Sequence, residues 1–272
     1  MAFVIGLVIG SILGLTGAGG SIFAVPLLLL VLGLSLPDAI GVAMAAVAVS
    51  AVYGSLKNWR SNNVLWIQAG LLGVSGVAVA PAGRWLGAQL DETLLLLGFS
   101  LLAWGIAARM YRQATQNPEV SRVLRSSKLA AQAPTPSVCR LSSTGRFQWG
   151  LRCVGSLLLS GSIVGLLTGL FGVGGGFLIV PLLMVLNQVS IQQAIASSLV
   201  IIAAVSSSGF ISYMLASPSV DYDLLTLIAL GGVLGMFFGQ LVATRVAGPR
   251  LQKVFAVCLS LIALVNIFTQ LR

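Results

Sequence analysis

The chain has 272 residues, of which 57% are hydrophobic and only 8% charged, and its formal net charge is +9. A soluble domain of this size carries about a quarter of its residues as Asp, Glu, Lys or Arg, whereas here Asp and Glu together number six, so lipid rather than water must cover most of the surface. The excess of positive charge does not read as a nucleic-acid footprint, because eight of the fifteen basic residues fall between Arg109 and Arg152 instead of lying along a helix face interleaved with aromatics.

Taken in chain order, the first apolar stretch is split by glycines into two short helices, Met1 to Leu15 and Ser21 to Leu34. No basic leader region or cleavage site precedes Gly17, so the first helix is expected to be retained. Three apolar runs follow, from Ala39 to Leu56, Val64 to Gly83 and Thr93 to Ala108, each near the length of about 20 residues that crosses a bilayer. Residues 111–150 form a basic linker containing Pro118, Pro134 and Pro136, which separates a first membrane unit (1–110) from a second (151–272). The second unit again opens on a split stretch, Leu157 to Leu170 and Phe177 to Leu186. It continues with runs from Gln192 to Leu215, Leu224 to Ala243 and Leu251 to Phe268. Cys139, Cys153 and Cys258 have no regular spacing and are read as unpaired.

The two units are copies. A shift of 155 residues carries Gly14-Leu15-Thr16-Gly17-Ala18-Gly19-Gly20 onto Gly169-Leu170-Phe171-Gly172-Val173-Gly174-Gly175, and the register holds to Gly54 and Gly209 without a gap. Fourteen of those 41 positions are identical, including five glycines and the proline pair Pro26 and Pro181, a coincidence that Leu- and Ala-rich composition does not produce.

Half-helices of ten to fifteen residues cover roughly 15 to 23 Å and do not span a core of about 30 Å. Each split pair is therefore either one broken crossing or a re-entrant hairpin, and loop charge separates the two. With the basic linker in the cytosol, a hairpin at Leu157 to Leu186 places Asp221 and Asp223 outside and Arg245, Arg250 and Lys253 inside, as the positive-inside rule prefers. The expected fold is all-α and membrane-integral, with two inverted-topology repeats, each a re-entrant hairpin plus three transmembrane helices, and both termini outside.

The glycine breaks are the sharpest functional feature. Unwound backbone at membrane depth is tolerated only where protein or water surrounds it, and the half-helices that start near Ser21 and Phe177 would aim free N–H groups and a positive dipole end into that space. Matched interruptions in two repeats point to a transporter's central site. The alternative is that these glycines only let helices pack closely. The anion-binding set is Gly17, Gly19, Gly20 and Ser21 with Gly172, Gly174, Gly175 and Gly176, joined by Ser50, Ser198 and Ser206. Pro26 and Pro181 are read as structural hinges, since each removes a helix hydrogen bond. Arg84, which the topology places outside, is either a snorkelling anchor or a forked anion contact in an outer vestibule.

The chain has no His and no acidic residue deep in a span, no nucleophile paired with a base, no metal-ligand spacing and no phosphate loop. No catalytic residue, metal or cofactor is expected. The expected partners are a small inorganic or organosulfur anion and the lipid bilayer, without nucleic acid; a coupling ion and a homo-oligomeric state stay open.

The pattern Gly14-Leu-Thr-Gly-Ala-Gly-Gly-Ser with Pro26, doubled as Gly169-Leu-Phe-Gly-Val-Gly-Gly-Gly with Pro181, resembles the sulfite exporter TauE/SafE family over nearly the whole chain outside the linker. The resemblance implies a secondary transporter, an exporter, of sulfite or organosulfonates such as sulfoacetate in a bacterial inner membrane. Arg84 and the long linker depart from the family pattern. An anion channel of the same fold and a non-transporting membrane scaffold are the alternatives.

Overall fold

A computed structural model describes residues 1–17, 20–59, 63–116, 151–173, 175–187, 189, 191–216, 222–246 and scattered positions between 253 and 264. Among them are nine helices: α1 (Ala2–Thr16), α2 (Ala24–Leu32), α3 (Leu36–Trp59), α4 (Trp66–Gln89), α5 (Glu92–Gln116), α6 (Leu151–Phe171), α7 (Gly176–Asn187), α8 (Ile191–Ala216) and α9 (Tyr222–Val246). A 3₁₀ turn, Gly20–Phe23, precedes α2. The linker beyond Gln116 and most of the expected span from Leu251 to Phe268 lie outside the described residues.

Five helices, α3, α4, α6, α8 and α9, are long and apolar enough to cross a membrane. Their outer faces carry large exposed apolar side chains such as Val74, Leu159, Ile211, Leu230 and Phe238, which only lipid can cover. Trp59 and Trp66 meet edge-on at 4.6 Å between α3 and α4, and Trp85 is exposed near the far end of α4. The nineteen helical steps from Trp66 to Trp85 span about 28 Å, close to the separation of the two aromatic belts of a bilayer.

Helix contacts are made through missing side chains. A Cβ at Gly6, Gly10 or Gly14 of α1 would collide with the carbonyls of Ile228, Gly232 and Met236 on α9, and one at Gly231, Gly235 or Gly239 with those of Phe3, Leu7 and Ser11. The second copy does the same: Gly161, Gly165 and Gly169 of α6 lie on the carbonyls of Leu72, Gly76 and Ala80 on α4. Without a hydrophobic drive between helices in lipid, such backbone approach is what holds them together. Each first helix thus packs on a helix of the other copy.

The same contacts fix directions. Both α1 and α3 run parallel to α9, through Gly6–Ile228 and Gly14–Met236 on one side and Ser50–Gly232 and Gly54–Met236 on the other. The chain must therefore travel back between Gly17 and Leu36, so α1, the 3₁₀ turn and α2 form a helical hairpin. In the second copy α6 runs parallel to α4, and α4 parallel to α8 through Leu65–Ser197 and Val77–Ser208, so α7 likewise returns. The repeat-equivalent helices α3 and α8 cross antiparallel, with Gly41 on the Tyr213 ring, Gly209 on Met44 and Gly54 on Leu199.

Two expectations need correction. The first arm of the second hairpin starts at Leu151, six residues before Leu157, and its 21 residues reach about 31 Å, a full span; Arg152 is solvent-exposed in the first turn, where a charged end does not prevent crossing. Cys153 is engaged in a disulfide rather than free, while Cys258 is free.

Candidate functional site

Each break is built by a glycine that the repeat supplies twice. Gly17 ends α1 at φ 71° and donates its N–H to Leu13 O at 2.8 Å; Gly172 ends α6 at φ 69° and donates to Thr168 O at 2.9 Å. A left-handed cap of this kind suits glycine and strains other residues. The contacts are reciprocal, since Gly17 abuts Ile195 and Gly172 abuts Ile40, and these isoleucines are themselves repeat mates. Each break is closed by the long central helix of the other copy.

Beyond its cap the second break folds back. Gly175 lies against Val164 and Thr168 of α6, level with the middle of α4, and its carbonyl accepts from Leu178 N (3.0 Å) and Ile179 N (3.2 Å) to start α7. The N-terminal end of α7 therefore sits near mid-depth of the bundle rather than at its edge. In the first copy the returning chain winds as the 3₁₀ turn Gly20–Phe23 before α2, and this turn touches α7. The two returning segments meet in the interior. Gly19 and Gly174 lie outside the described residues.

The hydroxyls sort into two groups. Ser21, in the 3₁₀ turn, is fully buried and its Oγ has no hydrogen-bond partner; Ser206, on α8, is the same. Ser206 shares the α8 face of Gly209 and Tyr213, which points at α3. By contrast Ser50 donates to Ala46 O at 2.7 Å and lies at the α3–α9 contact opposite Gly232. Ser198 donates to Ile195 O at 2.8 Å and stands 3.5 Å from Gly17 O, beside the first break. Pro26 is buried in the first turn of α2, and Pro181 falls in the middle of α7.

Arg84 is half-buried near the end of α4, where its backbone passes Gly169, three residues before the second break. Its guanidinium carbon lies 4.7 Å from the centre of the Tyr213 ring. Tyr213 donates to Asp38 Oδ1 at 2.7 Å, and Ser35 Oγ donates to Asp38 Oδ2 at 2.6 Å. Sequence reasoning passed over Ser35 and Asp38, although Ser-Leu-Pro-Asp ahead of an apolar run is the signature of a helix start. Ser100 on α5, buried and without a partner, was also missed. An apolar crevice of about 220 Å³ between α3, α8 and α9, bordered by Val49, Val52 and Phe210, holds a single hydroxyl, Ser207, and is suited to lipid chains rather than to an anion.

The profile of the family described as "Sulfite exporter TauE/SafE" matches residues 2–265. The chain belongs to the TauE/SafE family. It is similar to a "Probable membrane transporter protein" of Xylella fastidiosa strain Temecula1, 31% identical over 94% of this chain and 90% of the relative. It also resembles the "Probable membrane transporter protein YdhB" of Bacillus subtilis, 26% identical over 85% and 84%, and a similarly named protein of Haemophilus influenzae, 25% identical over 98% and 97%. No solved structure matches the chain. As a TauE/SafE protein with five apolar spanning helices, the chain is a multi-pass membrane transporter.

Proposed function

We propose that this TauE/SafE protein is a secondary carrier, an exporter in the family sense, of small sulfur-containing anions such as sulfite or sulfoacetate. The anion is held between the two glycine breaks by backbone amides and hydroxyls. The observation that carries the reading is the meeting of the 3₁₀ turn with α7 beside the buried, unpartnered Ser21 hydroxyl. Leaving a buried hydroxyl unpaired costs about 1–3 kcal/mol, a cost that a bound anion would remove. The dipole of α7 favours negative charge at that depth.

The antiparallel crossing of the equivalent helices α3 and α8 supports inverted repeats, the arrangement on which alternating access about a fixed site depends. In a bacterial inner membrane, with the basic 111–150 linker cytosolic by the positive-inside rule, the start of α6 faces the cytosol and the end of α4, with Arg84, faces outside. Flux into proteoliposomes tests the proposal with a panel of sulfite, sulfate, thiosulfate, sulfoacetate and taurine. Saturable uptake with counterflow of at least one anion is expected. Unitary currents would make the protein a channel instead, and no flux of any panel member would refute the reading.

A further inference from the structure

The duplication repeats the packing at both ends of the bundle but not the chemistry. Gly161, Gly165 and Gly169 meet α4 at Leu72, Gly76 and Ala80, while Gly6, Gly10 and Gly14 meet α9 at Ile228, Gly232 and Met236. The structural offset between α4 and α9 is thus 156 residues (72 to 228, 76 to 232, 80 to 236), one more than in the sequence repeat. Arg84 accordingly corresponds to Gln240, while Asp38 and Tyr213 correspond to Gln193 and Asn58 at the 155-residue shift. At the matching positions one end of the protein carries Arg, Asp and Tyr and the other three neutral amides; the cation at that other end, Lys57, is exposed and lies 5.5 Å over the Phe237 ring.

At the charged mouth the guanidinium is held but not used up. It stacks 4.7 Å over Tyr213, whose hydroxyl is fixed by Asp38 at 2.7 Å, and both Asp38 oxygens already accept hydroxyl hydrogens. The Nε of Arg84 is buried without a hydrogen-bond partner. Stacked on a ring and short of acceptors, a guanidinium presents its planar fork to a solute oxyanion, and the nearby carboxylate keeps that hold weak enough for release. The cluster lies at the end of α4, the start of α3 and the end of α8, next to Ile40 and the Gly172 cap of the second break.

We infer that Arg84 is a one-sided capture residue that selects oxyanions at the mouth beside the second break, with Tyr213 and Asp38 as its positioning residues. The two faces of the carrier therefore differ in half-saturation, although gradients still decide net direction. The inference rests on the carrier reading above.

Right-side-out and inside-out membrane vesicles test it with the panel anion that the native protein transports. The native protein should half-saturate at a lower anion concentration from the Arg84 face. Arg84→Gln, which reproduces the residue at the opposite mouth, should raise half-saturation about tenfold or more from that face, the worth of a charge-assisted contact, and leave the other face unchanged. Tyr213→Phe, keeping the ring but losing the Asp38 link, should raise it a few-fold on the same face only. Equal rises on both faces for Arg84→Gln, or none on the Arg84 face, would overturn the inference while leaving the carrier intact. Should Arg84→Gln fail to insert, Arg84→Lys decides by the same measure: a rise confined to the Arg84 face supports capture by the fork, and unchanged or symmetric values overturn it. A native protein inert toward all five anions would overturn the carrier reading, and the inference with it.

Discussion

Ser21→Ala separates a binding hydroxyl from a structural one, because the two roles predict opposite signs. The Ser21 side chain is fully buried and its oxygen has no partner. Removing it relieves an unmet desolvation cost, so the unliganded protein should gain about 1 kcal/mol of stability, a rise of about 2 °C in Tm for a chain of this size. If the hydroxyl donates to the anion, the same change should weaken binding by about 1 kcal/mol, or roughly fivefold, and shrink the anion's thermal stabilisation accordingly. Ser50→Ala is the internal comparison: its hydroxyl already bonds Ala46 O at 2.7 Å, so affinity should not move. Thermal unfolding in detergent with and without the transported anion, paired with flux, reads both quantities. A Ser21→Ala protein that is less stable and binds as tightly as the native one would refute the assignment.

The same logic extends to Ser206→Ala, which should be at least as stable as the native protein and bind the anion several-fold more weakly by the same paired assays. Gly10→Val and Gly165→Val place a branched side chain against the carbonyls of Gly232 and Gly76; overpacking costs about 1–3 kcal/mol even where neighbours can adjust. Size-exclusion profiles in detergent should therefore show loss of folded protein for both repeat mates alike. Deleting residues 117–143 from the basic linker should leave saturable uptake intact, which proteoliposome flux checks; loss of uptake at normal expression would make the linker part of the transport machinery.

Much of the architecture was legible because lipid leaves few solutions: long apolar runs become helices, and a doubled glycine-rich interruption has to be a break. Loop charge gave the expectation of two hairpins, and the doubled glycine-rich interruption pointed to Gly17 and Gly172. What could not be read depends on three-dimensional register. The ungapped repeat holds to Gly54, but one residue slips between α3 and α4 relative to their mates, so the counterpart of Arg84 is Gln240. Ser50 and Ser21 look alike in sequence; only the fold shows that one bonds its own helix and the other has no acceptor. Likewise the start of α6 at Leu151, rather than at Leu157, includes Arg152, a terminal arginine that can leave the bilayer while its helix crosses.

The glycine contacts also divide the bundle into two bodies that do not coincide with the two repeats. α1 is locked to α9, which also packs on α3, whereas α6 is locked to α4, which also packs on α8. Backbone-to-backbone packing leaves no side chains to slide, so the pairs α1–α9 and α6–α4 should each move as a unit, to which α3 and α8 are joined through side chains such as Met236 against Gly54 and Val205 against Gly76. The antiparallel α3–α8 contact, built on side chains such as Met44 against Gly209 and Tyr213 against Gly41, is the interface across which one unit can shift on the other. Carrier action by exchange between these bodies predicts that a disulfide between cysteines placed at Met44 and Gly209 stops counterflow and that reduction restores it, with the native protein under the same reductant as the reference. If the oxidised variant transports at the native rate, with the cross-link verified by mass spectrometry, the α3–α8 contact does not move during the cycle and the two-body division is wrong.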